Sequence, residues 1–175
     1  MNKIFTKPVM LTCVLLLAWI AVWEIILHNG HFPTWPVFLC MVSFFLAHQN
    51  TAEISKIIIG ACVGELAVYF LAFHYLPAVD RSFTLQLVFI LVFVGLIVLF
   101  QNTVPKVFNS YAFLFCMVGA LGARADNLEP TIFKGLPIIV AWLVLTAVGG
   151  TIVVYGCVMI GKIVKSLCGK NEEAA

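Results

Sequence analysis

Residues 35–53 read WPVFLCMVSFFLAHQNTAE, and residues 111–129 read YAFLFCMVGALGARADNLE. Aligned without gaps, they share Cys40-Met41-Val42 with Cys116-Met117-Val118, Ala47 with Ala123, and Glu53 with Glu129. An aromatic residue opens each stretch and a polar cluster closes it. The match predicts an internal duplication. As a helix, the apolar part of the first copy, Trp35 to Ala47, would span only roughly 20 Å at about 1.5 Å per residue, against a bilayer hydrocarbon core of about 30 Å. A short apolar helix in each half, ending in polar residues, is therefore the expected organising element.

The rest of the chain sets the solvent. With 63% hydrophobic and 10% charged residues and a mean hydropathy of +1.10, its surface needs lipid, because soluble domains carry about 25% charged residues. The 175 residues allow about six crossings of about 20 apolar residues each, with their connections, and leave no room for a soluble catalytic domain. A net charge of +2 gives no reason to expect nucleic acid as a partner. The cysteines (Cys13, Cys40, Cys62, Cys116, Cys157, Cys168) are scattered through apolar runs with no CxxC pair. They read as small buried hydrophobes rather than disulfides or a metal site, and no cofactor is expected.

Upstream of the first copy, Lys3 and Lys7 precede an apolar run from Pro8 to His28. It is too long for a signal-peptide core and lacks an A-x-A site, so it reads as a first span. Trp19 and Trp23 approach its far end, where indoles favour the interface. His28 to Thr34 (HNGHFPT) is a turn. After the first copy, Ile54 to Leu76 forms a third helix containing Gly60-Ala-Cys-Val-Gly64, a GxxxG that lets another helix approach closely. Phe83 to Phe100 is the plainest span. Val107 to Ala123 is the second short helix, followed by a polar loop, Arg124 to Pro130. Thr131 to Val164 is 34 residues long. Such a run either tilts and kinks at Gly149-Gly150 or begins outside the membrane.

Six crossings place Lys3, Lys7, Lys56, Lys106, Lys162, Lys165 and Lys170 on one side, and Arg81, Arg124 and Lys134 on the other. That bias predicts both termini in the cytoplasm. The helices divide as long-short-long twice, and three crossings per half force the two halves into opposite orientations. The expected fold is an all-α integral membrane protein of six transmembrane helices in two inverted repeats, about 8–76 and 83–164, with a cytoplasmic tail at 165–175. The whole chain, 1–175, is one membrane domain.

Glu65 is the most informative single residue. A carboxylate near mid-bilayer costs about 2.5 to 3.5 kcal/mol even on the mild insertion scale, so it should face the protein interior. It reads either as a pathway carboxylate that exchanges protons or as a protonated acid bonded to a neighbouring helix. The clusters His48-Gln49-Asn50 and Arg124, Asp126 and Asn127 close the two short helices. They are candidate ends of a solute pathway, where carbonyls and amides replace a hydration shell; as ordinary structure they are caps and solvated turns. Glu24, His28 and His31 form a weaker cluster, which reads either as an external pH-sensitive or metal-binding site or, more plainly, as interfacial hydrogen bonding. Gly60, Gly64, Gly149 and Gly150 are the expected helix-packing positions. No GxSxG, Walker A, HExxH or dinucleotide fingerprint occurs, so no enzymatic activity is expected.

The long first helix, Ser43-Phe44-Phe45 in the first short helix, Ile59-Gly60-Ala61 with Gly64, and Gly119-Ala120 in the second half together resemble the small bacterial inner-membrane proteins typified by YcdZ, a family filed as a domain of unknown function. The resemblance covers most of residues 8–160. It departs at His48-Gln49-Asn50, where those proteins tend to be glycine-rich. It implies a multi-pass protein of the bacterial inner membrane and supplies no substrate. The functional expectation is a channel or facilitator for a small polar solute or ion, with a homo-oligomer as the alternative site of a pore. The rival expectation is a non-transporting scaffold or accessory subunit that docks partners through Gly60 and Gly64.

Overall fold

A computed structural model describes residues 6–75, 83–125 and 138–169, and every regular element in them is helical. Helix α1 spans Lys7–Asn29 and carries Pro8 in its first turn, where the missing N–H costs nothing. It stops at Gly30, and His31 follows with φ of 52°, so the HNGHFPT turn forms as expected. Helix α2 spans Trp35–Leu46, again with proline, Pro36, in the first turn. It ends before His48 and Gln49, whose φ values of 52° and 59° break the helical path. Asn50 then accepts from the Ala52 N–H at 3.0 Å and caps a 3₁₀ turn, Thr51–Glu53.

Helix α3 spans Ile54–Tyr69 and widens into a π-helical segment, Phe70–Tyr75. Helix α4 is Phe83–Phe100 and α5 is Ser110–Ala125. The start of α5 lies later than the sequence suggests because Asn109 caps it: its Oδ1 accepts from the Ala112 N–H at 3.0 Å. The last run forms one rod. Helix α6, Ile138–Val144, passes through a π-helical segment, Leu145–Gly150, into α7, Thr151–Gly169. The double glycine thus marks a widened turn at the end of the π segment. Residues 131–137 lie outside the described residues.

Three helices are long and apolar enough to cross a membrane: Lys7–Asn29, Thr51–Tyr75 and Ile138–Cys168. Trp35–Leu46, Thr84–Phe100 and Ser110–Ala120 are shorter apolar helices.

The contacts fix the helix directions. Going along α2, Trp35 meets Trp142, Val37 meets Gly149 and Cys40 meets Gly150, so α2 runs parallel to the C-terminal rod. Going along α5, Asn109 meets Gly60, Ala112 and Cys116 meet Gly64, and Gly119 meets Val68, so α5 runs parallel to α3. Helix α3 and the rod are antiparallel, because Glu65 reaches Thr146 while Ile58 lies beside Gly150. Helix α1 is antiparallel to the rod: Trp23 approaches Gly149 and Trp19 packs on Gly156. Phe89 of α4 stacks on Phe70, while Phe93 and Ile97 join Val68, so α4 is antiparallel to α3. Successive helices therefore alternate in direction. This arrangement brings Lys7, Lys56, Lys106, Lys162 and Lys165 to the same end of the bundle.

Helix α2 thus lies along the C-terminal rod, and α5 along α3. The two cysteines matched by sequence occupy matching places, Cys116 on Gly64 and Cys40 on Gly150. In the register that equates these glycines, the sequence GACVGELAVY (60–69) aligns with TAVGGTIVVY (146–155), with Ala61, Gly64, Val68 and Tyr69 matching Ala147, Gly150, Val154 and Tyr155.

Trp19 and Trp23 turn into the bundle. Trp23 is buried in the core, and Trp19 Nε1 donates to the Val153 carbonyl at 3.2 Å. Two adjoining apolar clusters fill the bundle. One is centred on Val37, Phe44, Ile57 and Val154, the other on Val68, Cys116 and Trp142. The large exposed side chains of α1 and α4, such as Leu17, Leu91 and Leu99, look outward.

Candidate site at the crossing of α3 and the C-terminal rod

Glu65 sits on the face of α3 that also carries Ala61, Gly64 and Val68, all buried. The side chain itself is 0% exposed. Its Oε1 accepts a hydrogen bond from Thr146 Oγ1 in the π segment of the rod. Its Oε2 has no hydrogen-bond partner among the described residues. No cation among them pairs with it either; their ion pair is Lys56 with Glu53, 2.6 Å apart at the far end of α3. Among the described residues the buried polar side chains are Ser43, Glu65 and Thr146, of which Thr146 is bonded to Glu65. A carboxyl left half-satisfied in an apolar interior is costly, and such groups call for a functional or structural reason.

Thiols flank this pair, and two tryptophans lie further along the same bundle. Cys40 of α2 and Cys62 of α3 are close enough to Glu65 to interact electrostatically with it. Trp142 lies one turn before Thr146 and is fully buried. Trp35 meets Trp142 edge to face, with centroids 5.5 Å apart. The indole N–H groups of Trp23, Trp35 and Trp142, together with Ser43 Oγ, are buried without partners among the described residues. Both long helices that cross here contain a π segment, and such widened turns recur at functional sites.

A separate cleft of about 560 Å³ opens at the lysine end of the bundle, lined by Glu53, Lys56, Gln101, Asn102 and Tyr111 among others. Asn109 forms one edge. Its Nδ2 lies within hydrogen-bonding distance of the carbonyls of Lys56 (3.2 Å), Pro105 (3.0 Å) and Lys106 (3.2 Å). This residue ties the start of α5 to α3, and the sequence reading missed it. The signal available was an asparagine just ahead of an apolar run, a capping residue type.

The sequence-predicted residues do not converge on Glu65. His48, Gln49 and Asn50 are exposed on the α2–α3 turn. Asn50 lies about 20 Å from Glu65 along the chain axis at roughly 1.5 Å per helical residue, and none of the three lines the cleft. The backbone of Arg124 is in the last turn of α5; Asp126 and Asn127 lie outside the described residues. Glu24, His28 and His31 form no metal-binding group among the described residues. Gly60, Gly64, Gly149 and Gly150 all lie at interhelical contacts within the chain.

No family model, curated protein or solved structure matches the chain. The resemblance to YcdZ-type proteins therefore rests on the residues quoted for it, and a functional reading rests on the site.

Proposed function

We propose that this chain is a six-crossing protein of the bacterial inner membrane, built from two inverted three-helix halves, that moves a small polar solute or ion along a pathway passing Glu65. The observation that carries the reading is the buried, half-satisfied carboxyl of Glu65 at the crossing of α3 and the rod. An intramembrane acid facing the interior marks solute or proton pathways in membrane proteins. Sites at the interface of inverted repeats, near the bilayer midplane, are the recurring arrangement in transporters.

Three further features support the two-fold reading. Each short helix runs parallel to the third helix of the other half, the matched cysteines rest on matched glycines, and the helices around those glycines share sequence. The lysines gathered at one end favour that end as cytoplasmic. Because Glu65 is closed off from both ends, the conformation fits a gated facilitator rather than an open pore. No observation favours a docking role for the Gly60–Gly64 face, which α5 covers.

The test is flux in proteoliposomes across a panel of cations, anions and neutral polar solutes. Flux above protein-free vesicles, reduced in Glu65→Gln, is the expected result. A panel in which nothing moves faster than through protein-free vesicles refutes the transport reading for those solutes.

A further inference from the structure

We infer that Glu65 is a cation-exchange site that takes a monovalent cation of the ammonium type in place of a proton. The inference rests on the transport reading and names its substrate class. A carboxylate held among apolar groups must be neutral or paired. Among the described residues no lysine, arginine or histidine supplies the pair. Ionised Glu65 therefore needs a positive charge brought from outside the fold. An anion would place two like charges together in low dielectric, and a neutral solute would leave the ionised form uncompensated.

The surroundings then choose among cations. A dehydrated metal ion asks for a shell of several oxygens. At Glu65 the side-chain oxygens shown are its own two and Thr146 Oγ1, and no group of three metal-ligating side chains exists among the described residues. An ammonium group needs fewer acceptors and gains from aromatic faces. Trp142 lies one turn from Thr146 on the rod, with Trp35 edge to face against it, and we place the ammonium on that side of Glu65. The unpartnered Oε2 is the vacant acceptor.

The internal register adds a stoichiometry. The position matching Glu65 in the other half is Thr151, so the two-fold fold carries one exchanging carboxyl. Exchange balances as protonated Glu65 plus a free ammonium giving the ammonium carboxylate pair plus one proton released to water. The titratable groups facing Glu65 are thiols, Cys40 from α2 and Cys62 from α3; Cys116 of α5 lies beside the adjoining Gly64, and the rod presents Thr146, which does not titrate.

The experiment uses the full chain in detergent, weakly buffered, with a pH-indicating dye. Methylammonium chloride is the probe, compared with sodium chloride, potassium chloride, sodium acetate and urea at matched ionic strength where charged. The expected result is saturable release of about one proton per chain on adding methylammonium, absent in Glu65→Gln and recovered in Glu65→Asp, with tryptophan emission changing in parallel. Glu65→Gln keeps the size of the side chain and an oxygen for Thr146, and the Asp variant separates loss of the acid from loss of fold. Equal release by sodium or potassium overturns the ammonium assignment. Flux of neutral solutes in vesicles, with no proton release by any cation, overturns this inference and leaves the transport reading standing. Proton release by methylammonium without flux of any solute supports the exchange site while the transport reading fails.

Discussion

Cys40 rests its sulfur on Gly150: a β-carbon built on that glycine would stand 2.6 Å from Sγ and 3.1 Å from the cysteine Cβ. Glycine is favoured here by contact, since its φ lies outside the left-handed region. Overpacking such a contact costs typically about 1–3 kcal/mol, more than the roughly 1 kcal/mol that alanine gains over glycine in a helix. Gly150→Ala is expected to lower thermal stability in detergent, and Cys40→Ala in the same chain to recover part of the loss. A double-mutant cycle that comes out additive would show that the two residues do not share this contact.

Gly64→Ala should cost more than Gly150→Ala. Its β-carbon would meet the Ala112 carbonyl and stand 2.8 Å from the Cys116 nitrogen, both backbone. Backbone cannot turn aside as a side chain does, so α5 as a whole must move. Gly161, with nothing within 4 Å, is the control; Gly161→Ala is expected to be neutral or stabilising by up to about 1 kcal/mol. Equal melting temperatures for the two variants would contradict the packing of α5 on α3.

Asn109 holds the mouth of the bundle by two separable functions. Its oxygen caps α5, and its amide nitrogen lies on the carbonyl of Lys56 in α3. Asn109→Ala is expected to lose about 0.5–2 kcal/mol from the cap alone, plus the tether. Asn109→Asp keeps the cap oxygen, so its stability should fall between wild type and alanine. Denaturant unfolding in mixed micelles measures the order of the three.

Thr146 is expected to matter through its hydroxyl rather than its shape. Thr146→Val leaves Glu65 Oε1 without its donor, a loss of about 1–3 kcal/mol for an unsatisfied buried group. Thr146→Ser keeps the donor and should lie closer to wild type in stability and in any Glu65-dependent flux. A valine variant as stable and active as wild type would remove this hydrogen bond from the account.

The proposed topology predicts labelling from opposite sides. His31 lies between α1 and α2, and His48 between α2 and α3. A membrane-impermeant maleimide applied to intact cells should modify His31→Cys and spare His48→Cys, with the pattern reversed in inside-out vesicles. Modification of both from one side would refute a crossing by α2.

Much of the fold was legible because lipid enforces a simple rule: backbone groups must bond within each segment. The long apolar runs, the turn at Asn29-Gly30 and the short doubled helices all follow from composition and punctuation. Helix ends were less legible. Capped by Asn109, α5 starts three residues later than the apolar pattern suggests, because a cap depends on one side-chain oxygen rather than on hydropathy.

The sequence by itself determined that the chain is helical, that it is at home in lipid, and that Glu65 must turn inward. Only the tertiary structure decided what Glu65 meets. Thr146 stands 81 residues away, and no local pattern ties a hydroxyl in one apolar run to a carboxyl in another. The same holds for Cys40 on Gly150 and Cys116 on Gly64. The letters repeat along the chain, but their partners are set by how helices of opposite direction pack, which is a long-range choice made by shape.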